Sequence, residues 1–123
     1  TNPSIRLFGA EPAGADDAYR SLEAGRIIPQ TDPRTIADGL LTSLGPLTFA
    51  VLSAHLERIF TVSEDEIVAA MRLFWERAKL IIEPSAAVAV AVVLSEAFRQ
   101  LDDLERVGVI LSGGNLDLAK LPW

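Results

Sequence analysis

The sequence predicts an α/β unit, a partial three-layer domain with a mostly parallel sheet, and three observations lead there. Three short runs, Ile5–Ala10, Ile59–Val62 and Val107–Leu111, are nearly continuously apolar, as strands covered on both faces must be. Segments with helical apolar spacing separate them, so the connections are crossovers and not hairpins. With 123 residues, half of them hydrophobic and 23% charged, the chain has one core and too little length for two domains. Residues 1–123 are therefore read as a single α/β unit.

The elements follow in order. A short helix over Ala15–Leu22 succeeds the first strand. Gly25–Arg34 holds two prolines and little periodicity, and reads as loop. A second helix covers Pro46–Glu57. Ser63-Glu64-Asp65-Glu66 has capping-box spacing, and Ile67, Val68, Met71, Phe74, Trp75 and Ala78 then recur on one helical face. Pro84 suits a first helical position, where its missing N–H costs nothing. The run Ala86–Leu94 is apolar on every side and predicts a buried helix.

Composition excludes several function classes. Lys and Arg total 11 against 17 Asp and Glu, a net charge of −6, so a phosphate backbone is repelled and nucleic acid is not the expected partner. No cysteine and one histidine, His55, remove disulfides, thiol nucleophiles and the usual zinc sites. His55 stands in a helix with no nucleophile at hand, and is expected to be a surface side chain. The longest apolar run falls far short of the ~20 residues that span a bilayer, so no membrane partner is expected. Thr1-Asn2-Pro3 carries neither an initiator Met nor a signal pattern, and reads as a cut end.

The chemistry gathers beyond the carboxyl ends of the strands, where open α/β sheets bind ligands. The first strand enters Glu11-Pro12-Ala13-Gly14-Ala15-Asp16-Asp17. That loop reads first as a solvated acidic turn that favours a helix N-terminus, and alternatively as a loop that holds a hard cation by its oxygens. The third strand enters Ser112-Gly113-Gly114-Asn115. Two glycines let the backbone approach a ligand closely, or mark an ordinary strand-to-turn transition.

Taken together, several segments resemble one family. They are Phe8-Gly9-Ala10-Glu11-Pro12 with Ala15-Asp16-Asp17-Ala18, Thr35-Ile36-Ala37-Asp38-Gly39, Thr61-Val62-Ser63-Glu64-Asp65-Glu66-Ile67, Ile82-Glu83-Pro84-Ser85-Ala86, and Val109-Ile110-Leu111-Ser112-Gly113-Gly114-Asn115-Leu116-Asp117-Leu118. In this order and spacing they resemble the serine racemase and threonine/serine dehydratase enzymes, which use pyridoxal phosphate on fold type II. The resemblance implies the C-terminal part of the large, cofactor-binding domain of such an enzyme. It implies that Ser112 hydrogen-bonds the cofactor's pyridine nitrogen. A neutral hydroxyl there leaves a weaker electron sink, suited to β-elimination and α-proton transfer. Gly39 then lies against the cofactor ring, and Glu83 and Gly113 belong to the same pocket. Glu11 and Asp17, with the carbonyl of Ala15, match a Mg²⁺ or Ca²⁺ site, all oxygen ligands as a hard cation requires.

The resemblance also implies what these residues lack. The Schiff-base lysine and the glycine-rich phosphate loop belong to an N-terminal half that is not in the sequence. Lys79 and Lys120, the two lysines here, match no catalytic motif, so no catalytic residue is expected in this chain. The expectation is a cytoplasmic homo-oligomer that acts on a small amino acid, L-serine or L-threonine, once that half is supplied. By itself the chain is expected to be inactive. The alternative is a free-standing, non-catalytic α/β domain for binding or self-association. An unpaired sheet edge and uncovered apolar surface, both prompts to associate, disfavour it as a monomer.

Overall fold

A computed structural model describes residues 4–123; Thr1–Pro3, which read as a cut end, lie outside the described residues. Two strands, β1 (Phe8–Pro12) and β2 (Arg58–Val62), form a parallel pair with Phe8 opposite Arg58 and Pro12 opposite Val62. Ala13 donates its N–H to the Val62 carbonyl at 2.7 Å. In a parallel ladder the N–H and C=O of one residue share a side, so odd-numbered residues of β1 face β2 and even-numbered ones face away. Pro12 is in the even set, and the ladder therefore tolerates its missing N–H.

The helices are α1 (Asp17–Ala24), α2 (Pro46–His55), α3 (Glu64–Ala78), α4 (Pro84–Leu94) and the single turn α5 (Glu96–Arg99), with a 3₁₀ turn at Asp38–Leu40. The capping box of α3 forms as its sequence predicts: Ser63 Oγ accepts from Glu66 N–H, and Glu66 Oε2 accepts from Ser63 N–H at 2.8 Å. Helix α3 ends at Lys79, which takes a left-handed conformation at φ 59°. Helix α4 starts on Pro84 and buries Ala86, Ala87, Val88, Ala91 and Val92. It is the hub of the core, packed on α3, on both strands and on the 3₁₀ turn.

Phe8, Phe60 and Phe98 close one end of that core as a triangle of tilted rings, with centroids 5.6–5.9 Å apart. Edge-to-face contact of this kind adds to simple burial. Trp75 packs half-buried against the core and donates its indole N–H to the Ile82 carbonyl at 3.0 Å. Trp123 stands edge-on to Trp75 at 5.4 Å. No helix among the described residues is long and apolar enough to cross a membrane.

One predicted element is corrected. Val107–Leu111 forms no ladder, and among the described residues the sheet consists of β1 and β2. The residues are apolar and β-branched as a strand requires, but a strand exists only against a neighbour. Val107, Val109 and Ile110 remain exposed. The first strand also begins later than predicted, at Phe8, since Ile5 and Leu7 precede the paired register and stay exposed.

Ile67 is fully enclosed between α3 and the core, whereas Val51 on α2 is 59% exposed. Ile67→Ala is expected to lower unfolding stability by about 3 kcal/mol, and Val51→Ala by less than about 0.5 kcal/mol. Urea midpoints of the two variants, compared with the parent chain, check this.

Candidate functional site

The start of α4 and the residues around it organise the candidate site. Glu83 is the N-cap, held in extended conformation by the proline after it. Its carboxylate reaches the loop that follows Leu111: Glu83 Oε2 accepts from the Asn115 N–H at 2.9 Å, and the Glu83 N–H donates to the Gly113 carbonyl at 3.4 Å. Gly113 has φ +99°, and a Cβ there would collide with the Glu83 carboxylate. Only glycine meets both conditions. Of the diglycine, Gly113 is the residue that this geometry requires.

Ser85, in the first turn of α4, holds a second segment. Its Oγ accepts from the Gly39 N–H at 3.1 Å, and a Cβ on Gly39 would lie 2.9 Å from that oxygen. Glu64 steadies the same segment from α3, accepting the Ile36 N–H at 2.8 Å, while its other carboxylate oxygen is buried without a partner. Ala37 between them is completely buried. The α4 N-terminus therefore brings together Gly39, Glu83 and Gly113, three residues far apart in sequence. Ser112 adjoins Gly113 on the same loop and is exposed. Ser85 and Glu64 were not singled out by sequence; serine after a helix-start proline and glutamate in a first turn are common helix-start residues, with no signal of a second partner.

The acidic loop forms a separate cluster. Glu11 caps α1, its two carboxylate oxygens accepting from Ala18 N–H at 3.2 Å and Tyr19 N–H at 2.7 Å. Asp17 is buried and accepts the Leu44 N–H at 2.7 Å. Ala15 is buried beside them, its N–H donated to the Pro12 carbonyl at 3.0 Å. Glu11 and Asp17 line one cavity of about 270 Å³, closed by Leu40 and the Thr42–Gly45 segment. Glu11 stabilises a helix terminus, as the acidic-turn reading expects, and it faces a cavity shared with Asp17. No group of three or more His, Cys, Asp or Glu suited to a metal occurs among the described residues. A cation here would use two carboxylates and a backbone carbonyl.

Burial pushes the Glu11 carboxyl up from 4.5 to about 6, against the opposing pull of its two backbone hydrogen bonds, with Asp17 and Asp16 adding like-charge repulsion. The remaining candidates are peripheral. His55 is exposed at the end of α2. Lys79 is exposed, and Lys120 pairs with Asp117 at 3.7 Å on the surface.

Two outcomes are expected. Gly113→Ala should destabilise the chain by about 1–2 kcal/mol through its left-handed backbone and the clash with Glu83. Combining it with Glu83→Ala should relieve part of that loss, a non-additivity of at least about 0.5 kcal/mol in denaturant titrations. Glu11 binds its proton more tightly in the folded chain, so folding takes up protons between pH 4.5 and 6. Its penalty is fully present above about pH 6, and stability should rise by about 1 kcal/mol as pH falls from 7 to 4.5, partial solvation having halved the full figure. Glu11→Gln should flatten that part of the stability–pH curve.

Comparison with known proteins bears on both clusters. Residues 1–113 match the family model described as pyridoxal-phosphate dependent enzyme. The chain is 51% identical over 122 residues to a serine racemase of Dictyostelium discoideum, covering 98% of this chain and 38% of that protein. It is 50% identical to the beta-hydroxyaspartate dehydratase of Paracoccus denitrificans, again covering 98% of this chain and 38% of the relative. The crystal structure of the Dictyostelium serine racemase superposes with a TM-score of 0.90, covering 95% of this chain and 37% of that one. The crystal structure of a T.th. threonine deaminase gives 0.81 at 40% identity, covering 97% of this chain and 43% of that one. The chain thus spans less than half the length of these relatives, and it belongs to the pyridoxal-phosphate dependent enzyme family.

Proposed function

We propose that this chain forms one wall of the cofactor pocket of a cytoplasmic, homo-oligomeric pyridoxal-phosphate enzyme, a threonine/serine ammonia-lyase or a serine racemase. The single observation that carries the reading is the junction at the α4 N-terminus, where Glu83 and Ser85 hold the Gly113 and Gly39 segments together. The family match and the relatives' names support the cofactor and the amino-acid substrate class.

When bound, pyridoxal phosphate supplies an electron-withdrawing ring that acidifies the substrate's α-carbon. Ser112 would offer the ring nitrogen a neutral hydroxyl and no carboxylate, a partner that does not stabilise a positive charge there. Glu83 acts through the backbone: by accepting from Asn115 it sets the path of the loop that carries Ser112. Gly39 leaves a ring face unobstructed. The donor set at the acidic loop fits a hard cation: two carboxylates face one cavity, one with a raised pKa, and a divalent ion would relieve their repulsion. Glu11, Asp17 and the Ala15 carbonyl would then hold Mg²⁺ or Ca²⁺ and brace the start of α1. The amine that anchors the cofactor and the groups that move the α-proton come from outside these residues, and so does the choice between L-serine and L-threonine.

The test uses a chimera in which this chain replaces its matched segment in the Dictyostelium serine racemase. With pyridoxal phosphate the chimera should develop the visible absorbance of bound cofactor and turn over L-serine, whereas the isolated chain should do neither. Ser112→Ala in the chimera should lower kcat/KM by about tenfold, the value of one hydrogen bond of about 1.4 kcal/mol, and shift the cofactor's absorbance. Unchanged turnover and spectrum in that variant would remove Ser112 from the pocket.

A further inference from the structure

Trp75 belongs to the apolar stripe of α3, and its ring packs half-buried against the core as that stripe requires. Two further contacts go beyond packing. The indole N–H donates to the Ile82 carbonyl at 3.0 Å, and the ring stands at 90° to that of Trp123, with centroids 5.4 Å apart. Each contact leads to one end of the loop that carries Ser112.

The first contact acts through a single peptide unit. The Ile82 carbonyl and the Glu83 N–H belong to the same planar, trans peptide. The Glu83 N–H in turn donates to the Gly113 carbonyl at 3.4 Å. Turning the Ile82 carbonyl off the indole therefore turns the Glu83 N–H off the loop. A hydrogen bond at one end of a peptide unit also polarises the other end, so the two bonds support each other. The loop lies closely along this segment: a Cβ on Gly114 would come within 3.2 Å of the Ile81 carbonyl, and Asn115 donates its N–H to Glu83 Oε2 at 2.9 Å. The second contact meets the chain downstream of the loop. Trp123 is 40% exposed there, and its perpendicular ring contact with Trp75 is directional. Phenylalanine at position 75 would fill much of the ring's place and donate nothing.

We infer that Trp75 is a positioning residue: it sets the loop that carries Ser112 from both ends, through the Ile82–Glu83 peptide and through Trp123. The consequence for the pocket rests on the proposed reading of Ser112 as the partner of the cofactor's ring nitrogen.

The test uses the serine racemase chimera with Trp75→Phe, with Ser112→Ala and with both. Amide hydrogen exchange, read without cofactor, should quicken about tenfold at Glu83 and Asn115 in Trp75→Phe. Met71, in the middle of α3, should keep its rate. With pyridoxal phosphate, Trp75→Phe should shift the cofactor's absorbance in the same direction as Ser112→Ala and lower kcat/KM by about threefold to fivefold. In the Ser112→Ala background it should add less than about twofold, because the group it positions is gone. Trp123→Ala frees the tail at a partly exposed position, and should quicken Asn115 even where Trp75→Phe does not fold. Asn115 exchange that stays unchanged in the folded variants overturns the inference. Equal quickening at Met71 overturns it too, by reducing Trp75 to general packing, and so do Trp75→Phe and Ser112→Ala losses that multiply. A silent Ser112→Ala spectrum with faster Asn115 exchange leaves Trp75 its hold on the loop and takes Ser112 out of the proposed function.

Discussion

A helix with no polar side has to be surrounded, and that requirement on α4 shapes the rest of the molecule. Ala86, Ala87, Val88, Ala91 and Val92 are buried against α3, the strand pair and the 3₁₀ turn. Small residues dominate that list, so neighbouring backbones come close. One face of the helix is enclosed by these partners, and its N-terminus carries polar side chains outward. Glu83 and Ser85 sit there and spend their oxygens on backbone N–H groups of other segments. The same burial that stabilises the core therefore fixes where the candidate pocket wall lies.

The acidic loop obeys a different constraint. Glu11 is half-buried because it caps α1, and the cost of removing a carboxylate from water appears as its raised pKa. Asp17 is more confined still, tied to Leu44 across the same cavity. Two carboxylates that face one space destabilise each other unless something positive or a proton lies between them. Proton uptake by Glu11 answers chiefly the loss of water around it, and the nearby Asp17 charge adds to the same shift.

The strand pair is unusual for its exposure. A sheet of two strands is marginal in isolation, and β1 leaves half of its backbone groups on an open edge beside an apolar groove. Exposed Ile5, Leu7, Val107, Val109 and Ile110 lie along or beside that groove. Such a surface is a prompt to associate, and the chain spans under half of its relatives' length.

Much of this was legible in one dimension. Local rules determine α3 and α4: the Ser63–Glu66 capping box, the proline start and the two kinds of apolar periodicity act over a few residues, and the structure reproduces them. Spaced motifs likewise carried the family. Tertiary structure alone decided three matters. Val107–Leu111 has the composition of a strand, but pairing is a property of two segments, and among the described residues no strand pairs with it. Gly113 is required by its φ of +99°, in a loop whose path past the Glu83 carboxylate is set by a segment distant in sequence. Ser85 and Glu64 became partners of Gly39 and Ile36 only when helix packing brought distant backbone donors within reach of their oxygens.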